Sequence, residues 1–232
     1  MSFNGILLID KPLLYTSHDI VEIVRRKLGL QRVGHTGTLD PMATGLLVIL
    51  VGEGTRSFDR HVMDDKEYEG VMTLGMVTDT QDLEGRIERF QEPPDFGVGD
   101  ILKVFREFCG VIEQRIPRYS SAKINGIASH RLARRNVPFE QALKRVEVKR
   151  LELSGFENPD IFFSIAVSKG TYVRTLCEDI GNALGVGAVL SGLRRIRSGP
   201  FLIHASVSLE GFKNLSLRAV QALLERFWGH NA

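Results

Sequence analysis

A chain of 232 residues with 43% hydrophobic side chains can bury one large core or two small ones, which excludes a mostly disordered protein. Its formal charge of +2 permits an anionic partner without demanding one, and its two cysteines, far apart, suggest neither a disulfide framework nor a metal knuckle. No apolar run approaches roughly 18 residues and no basic leader precedes one, so the expectation is a soluble cytoplasmic protein without a membrane partner.

In chain order, "GILLID" reads as a buried strand. "TSHDIVEIVRRKLG" reads as a helix capped by Ser17, with Ile20, Val21, Val24 and Leu28 on one face and Gly29 ending it. "LLVILVG" (46–52) and "EYEGVMTLG" (67–75) read as strands, and residues 76–97, rich in Asp, Gly and Pro, as a loop region. "VGDILKVFREFCG" reads as a helix, "RVEVKRLELSGF" and "IFFSIAVS" as an antiparallel strand pair, and "TYVRTLCEDIGNALG" and "SLRAVQALLERFWG" as amphipathic helices. Cys109 and Cys177 fall in apolar periodic segments and read as core thiols. Strands and helices mix without regular βαβ alternation, so the expected fold is α+β around a mixed, largely antiparallel sheet. No repeat or linker interrupts it, which makes residues 1–232 one domain.

Two features stand out against this background. In "VGHTGTLDPMATGLL", from residue 33, a single carboxylate, Asp40, sits before Pro41 among small and glycine-rich neighbours that allow a tight fold and close approach to a ligand. The plain reading is a cap on a short helical turn. Arg174 is the second feature, because it lies in the first turn of its helix, where the dipole disfavours a cation by a few tenths to about 1 kcal/mol. A carboxylate held at two points would compensate. Basic residues also cluster at 130–136, 144–150 and 193–197, either as solvated faces or as one anionic-partner surface.

The ordered blocks "IDKP…TSHDIV…VGHTGTLDPMATGLL", "KEYEG", "IPRYSSAKINGIASHRLAR" and "SKGTYVRTLCEDIG…LRRIRSGPF" resemble the TruB-type tRNA pseudouridine synthases, over roughly residues 5–210. The resemblance implies the pseudouridine synthase fold and a cofactor-free, metal-free isomerase that converts uridine 55 in the T-arm of tRNA. It implies that Asp40 is the attacking carboxylate, acting at C6 of the base, at C1′ of the ribose or on a sugar proton. Arg174 beside it would favour its charged form. Tyr68 and Tyr172 match tyrosines at the flipped base, His35 the histidine that engages the loop where the base leaves, and Leu193 an apolar wall residue. Lys11 and Pro12 match an element that braces the active-site loop. Lys123, Arg131, Arg134, Arg194 and Arg195 are candidate phosphate contacts.

The chain departs from the family pattern at Leu14, where glycine is usual, at Ile116 before Pro117, and at Ser129 and His130, where Leu-Tyr is usual. A C-terminal PUA-type domain is expected to be absent, and tRNA to be bound by a monomer with no protein partner. Two rival readings are a non-catalytic RNA-binding or RNA-folding module and a related synthase acting on ribosomal or messenger RNA. The intact Asp40, Tyr68, Tyr172 and Arg174 argue against the first.

Overall fold

The computed structural model describes residues 3–120, 122–124, 126–135 and 137–228, without the side chains of residues 123, 124, 128, 130, 134 and 228. The elements run β1 (Gly5–Lys11), α1 (Ser17–Leu28), β2 (Val33–His35), β3 (Ala43–Val51), α2 (Phe58–Val62), β4 (Lys66–Leu74), β5 (Met76–Thr78), β6 (Ile87–Phe90), α3 (Val98–Glu107), β7 (Gly110–Arg115), β8 (Lys123–Ile124) and β9 (Ile127–Ala128). There follow α4 (Ser129–Arg134), β10 (Leu143–Glu157), β11 (Asp160–Val167), α5 (Val173–Ala183), β12 (Ala188–Ser198), β13 (Phe201–Leu202), β14 (Val207–Ser208), α6 (Leu209–Asn214) and α7 (Leu217–Trp228). The result is the expected α+β fold with a mixed, mostly antiparallel sheet. The chain divides into two compact units, one built from both ends of the chain up to Tyr68 and from Leu193 onward, the other from Glu69–Gly192.

In the first unit the strand order is β14-β1-β3-β12, and β3 is its centre. β1 runs antiparallel along one edge of β3, with Ile9 opposite Leu47. The other edge is shared: β12 pairs parallel with its start, Leu193 opposite Ala43, and β2 antiparallel with its end, His35 opposite Ile49. Because β3 has strands on both edges and is covered on its faces, nearly every residue is buried, which is why it reads as a continuous apolar run rather than an alternating one. Ile6, Leu8, Leu46, Val48, Leu50 and Phe201 form one core cluster, with Phe227 of α7 set edge-on to Phe201 at 5.8 Å.

In the second unit β4, β11, β10 and β7 follow in order, with β10 antiparallel to both β11 and β7. Helix α3 buries Ile101, Val104 and Phe105, and α5 buries Val173, Leu176, Cys177 and Ile180, four of the five residues that helical spacing puts on one face; the fifth, Leu184, is its half-buried C-cap.

Several sequence expectations change. Residues 76–97 are not all loop, since β5 and β6 form an antiparallel hairpin there. All four residues of β6 are exposed, so no buried-exposed alternation marks it as a strand. Helix α1 is capped by Thr16, whose hydroxyl accepts the Asp19 N–H at 3.0 Å while the Asp19 carboxylate accepts the Thr16 N–H at 2.8 Å. Ser17 is buried and used elsewhere. Cys109 lies beyond the end of α3 and is exposed, whereas Cys177 is buried and its thiol pKa is driven up by desolvation. Among the described residues no helix is long and apolar enough to cross a membrane.

Candidate active site

Asp40 is half-buried on a loop that leaves β2 at His35 and returns into β3 at Ala43. No helix follows it, so it is not a helix cap; the Ala43 N–H donates to the Asp40 carbonyl at 3.0 Å and closes a tight turn over Pro41. Buried side chains pin this turn from both directions. Ser17 Oγ accepts the Leu39 N–H at 2.8 Å and donates to the Leu39 carbonyl at 3.1 Å, satisfying both polar groups of the residue before Asp40. Lys11, with no exposed surface, donates from Nζ to the carbonyls of Tyr15 at 2.6 Å, Pro12 at 3.0 Å and Pro41 at 3.4 Å.

Arg195 is the third brace. Only 2% exposed, it donates from Nε to the Leu46 carbonyl at 2.7 Å and from Nη2 to the Gly37 carbonyl at 3.1 Å. The bond to Leu46, with Thr36 N–H to Val48 O at 3.2 Å, occupies the stretch of β3 edge between β12 and β2, and the bond to Gly37 ties the loop to it. The close approach explains Gly45: its φ is +102° and a Cβ there would stand 2.4 Å from the Arg195 carbonyl oxygen. The expectation that Arg195 contacts phosphate is therefore corrected, because its guanidinium is buried against loop carbonyls. Leu14 completes the loop's support by donating its N–H to the Pro41 carbonyl at 3.0 Å. Its φ is +69°, the left-handed conformation that glycine tolerates best, which is the physical reason for glycine in the usual pattern.

His35 is half-buried at the start of the same loop, and its Nδ1 has no hydrogen-bond partner. Burial first, then the nearby charges of Arg195 and His18, push its pKa down to about 4, so it is a neutral ring at neutral pH. Leu193 is half-buried at the head of the β12–β3 pairing, and its carbonyl accepts from Thr44 Oγ1 at 3.4 Å. Tyr68, in β4, is 9% exposed.

In the second unit Tyr172 is the N-cap residue of α5 and Arg174 lies in its first turn. The position of Arg174 at a helix start asked for a carboxylate, and the resemblance named Asp40; the carboxylate bonded to it in its own unit is a different one, Asp82. Arg174 is 7% exposed, and Asp82, 3% exposed, is there, its Oδ2 accepting from Nη1 at 3.3 Å. Nη1 also donates to the Thr80 carbonyl at 2.8 Å and Nη2 to the Tyr119 carbonyl at 2.9 Å. The other carboxylate oxygen of Asp82 accepts from Thr80 Oγ1 at 2.5 Å and from the Glu84 N–H at 3.1 Å, which orients the group toward the guanidinium.

Of the candidate phosphate contacts, Arg131 is exposed on α4, and so is Arg135 beyond it; the side chains of Lys123 and Arg134 lie outside the described residues. Arg194, partly exposed, is engaged at two points by Asp10, at 2.7 and 3.1 Å, and Arg197 pairs with Glu67 at 2.8 Å. The 193–197 cluster is therefore not a free basic face.

Residues 25–173 match the TruB family pseudouridylate synthase N-terminal domain, and residues 174–227 match the tRNA pseudouridylate synthase B C-terminal domain. The chain belongs to the TruB family. The tRNA pseudouridine synthase B of Syntrophotalea carbinolica is 43% identical over 210 residues, 90% of this chain and 69% of its own length. That of Opitutus terrae is 39% identical over 221 residues, 95% of this chain and 92% of its own. Among solved structures, a chain of a Cbf5-Nop10-Gar1 complex superposes with a TM-score of 0.72 at 32% identity, over 90% of this chain, which spans 54% of the other's length. A chain of an H/ACA RNP bound to a substrate RNA containing 2′-deoxyuridine gives 0.70 at 28%, over 94% of this chain, which spans 58% of its length.

In this TruB-family chain, sequence reasoning missed Asp82, Thr80 and the role of Ser17, which it had read as the cap of α1. The signal was present in "TDTQD" (78–82), a run of short polar side chains of the kind that bond to their own backbone and fix a loop. Ser129, in place of the usual leucine, is fully buried and donates to the Ser120 carbonyl at 3.0 Å, so that departure is absorbed by a hydrogen bond.

Proposed function

We propose that this chain isomerises uridine 55 in the T-arm of tRNA to pseudouridine, with Asp40 as the attacking carboxylate. The observation that carries the reading is the presentation of Asp40: a half-buried carboxylate on a turn whose flanking main chain is held by buried Lys11, Ser17 and Arg195. Such rigidity has a use when a charged group must meet one atom of a bound nucleoside, because misplacement by about 1 Å costs on the order of a hundredfold in rate. Relatives named tRNA pseudouridine synthase B, matched across most of this chain, support tRNA as the substrate.

The reaction breaks the bond from N1 to ribose C1′, turns the uracil, and joins C5 to C1′; the proton on C5 leaves and N1 gains one. Its net change is zero, so no oxidant or reductant is consumed. Turning the base out of the loop costs a few kcal/mol, which stacking and edge hydrogen bonds repay. Tyr68 and Tyr172 are assigned to stacking, Leu193 to the apolar wall, and neutral His35 to the loop the base leaves. A neutral ring enters a base stack without the desolvation cost of a cation. Arg174, with its guanidinium fixed by Asp82, is assigned to the charge of Asp40. Arg131 and Arg134 are assigned to the RNA backbone, with Lys123 and, on exchange of its Asp10 partner for phosphate, Arg194 as further contacts. On this reading the enzyme works in the cytoplasm as a monomer, without a protein partner.

The test is to incubate the chain with an unmodified tRNA transcript and map pseudouridine along it. Product at position 55 alone is expected, and a T-arm stem-loop should be modified at a rate within about a hundredfold of whole tRNA, nearly 3 kcal/mol. No product, or product only elsewhere, would overturn the reading.

A further inference from the structure

Gln114 lies in β7 with no exposed surface, a position where an apolar side chain would ordinarily sit. Burying an amide is unfavourable unless both its ends are paired. Here both ends are spent on the main chain of one residue: Nε2 donates to the Tyr172 carbonyl at 3.2 Å, and the Tyr172 N–H donates to Oε1 at 3.0 Å.

Tyr172 is where the chain turns from extended to helical, with φ −101° and ψ 104°, and no side-chain hydrogen bond caps α5 at this point. Its carbonyl also accepts the Leu176 N–H at 3.1 Å, so the amide grips the first turn of the helix by its outermost peptide. The segment that carries Gln114 touches the same turn a second time, since the Tyr119 carbonyl accepts from Arg174 Nη2 at 2.9 Å. One strand and the chain just after it thus hold both the tyrosine main chain and the arginine head group.

We propose that Gln114 is a positioning residue for the isomerisation: its amide fixes the Tyr172 main chain and, through the first turn of α5, the aim of the Tyr172 ring and the Arg174 guanidinium. The proposal rests on the functional reading above. Hydrogen bonding to a backbone explains why the residue is glutamine and not a charged or apolar residue of similar length, because an amide both donates and accepts, whereas an ionised carboxylate only accepts, an ammonium only donates and an aliphatic chain does neither.

Glu and Met substitutions separate positioning from mere packing. In Gln114→Glu the ionised carboxylate accepts the Tyr172 N–H but faces the Tyr172 carbonyl with a second acceptor, whereas the protonated acid restores the donor and acceptor pair. Burial raises the pKa of such a carboxyl, so the two forms are reached within a workable pH range. Single-turnover pseudouridine formation relative to the native enzyme at the same pH should be about tenfold or more slower near pH 8, and the deficit should shrink to roughly threefold or less near pH 5.5. The Kd for tRNA should stay within about threefold of native. Gln114→Met should be slow at every pH, without recovery. All rates are taken well below each variant's Tm, so that the folded fraction is constant and a loss of stability alone does not move the ratio. A native rate in Gln114→Met, or a Gln114→Glu deficit that does not change with pH, would overturn the assignment while native product stands. Absence of product from the native chain would overturn the functional reading and this assignment with it.

Discussion

Replacing Lys11 by Met removes an ammonium and keeps most of the stem. In the native chain Nζ donates to the carbonyls of Tyr15 at 2.6 Å, Pro12 at 3.0 Å and Pro41 at 3.4 Å, and the side chain has no exposed surface. The Pro41 carbonyl keeps the Leu14 N–H at 3.0 Å, so the main loss falls on Pro12 and Tyr15. A buried carbonyl that loses its donor costs about 1–3 kcal/mol, and two give roughly 2–6 kcal/mol. Removing a buried charge returns part of this, because desolvating an ammonium costs several kcal/mol. A net loss of about 3 kcal/mol corresponds to a fall in Tm of roughly 6–12 °C for a chain of this size. The rate should fall more sharply than stability suggests, since Pro41 follows Asp40 and a shift of about 1 Å is worth on the order of a hundredfold. Thermal denaturation and single-turnover formation of pseudouridine at a temperature where the variant is fully folded measure the two effects. A Tm within about 2 °C of native together with an unchanged rate would refute the bracing role.

Arg174→Lys keeps the charge but cannot reach Asp82, Thr80 and Tyr119 together, so single-turnover rate should drop at least about a hundredfold with tRNA affinity changed much less. An NMR titration of His35 should show a midpoint near 4, displaced down by burial and by Arg195 and His18. Because the unfolded chain binds that proton near 6.5 and the folded one near 4, His35 makes stability fall as pH drops through this window, and His35→Gln should flatten that part of the pH dependence of Tm. Affinity for tRNA should weaken steeply with salt, and Arg131→Ala or Arg135→Ala should reduce the salt slope by about one unit each, whereas Arg195→Ala should act through stability because that side chain is buried.

Elements with a strong pattern were legible in the sequence: β3, α1, α5 and the β10–β11 pair stand where the pattern put them, because burial of one face leaves a period and burial of a whole strand leaves an unbroken apolar run. The hairpin β5–β6 left none, since its second strand is exposed on both faces. Asp40 stood out as a lone carboxylate in a glycine-rich block, but its neighbours alone read as a cap, and the attacking role was legible only through the resemblance. Of its supports, Lys11 was read in advance through the resemblance and the others were not. Ser17 read as a helix cap and Arg195 as a surface cation, and only the fold turns both toward loop carbonyls. Arg174 marks the boundary between the two cases: its unfavourable position at a helix start announced a partner, but nothing in spacing pointed to Asp82, 92 residues earlier.

The most direct measurement is single-turnover conversion of an unmodified tRNA transcript by Asp40→Asn beside the native chain. The amide preserves shape and leaves the Asp40 carbonyl bond to Ala43 in place, so folding and tRNA affinity should hold within about threefold. If the carboxylate does the chemistry, pseudouridine formation should fall by more than about a thousandfold. Turnover within about tenfold of native would mean that Asp40 is not the attacking group.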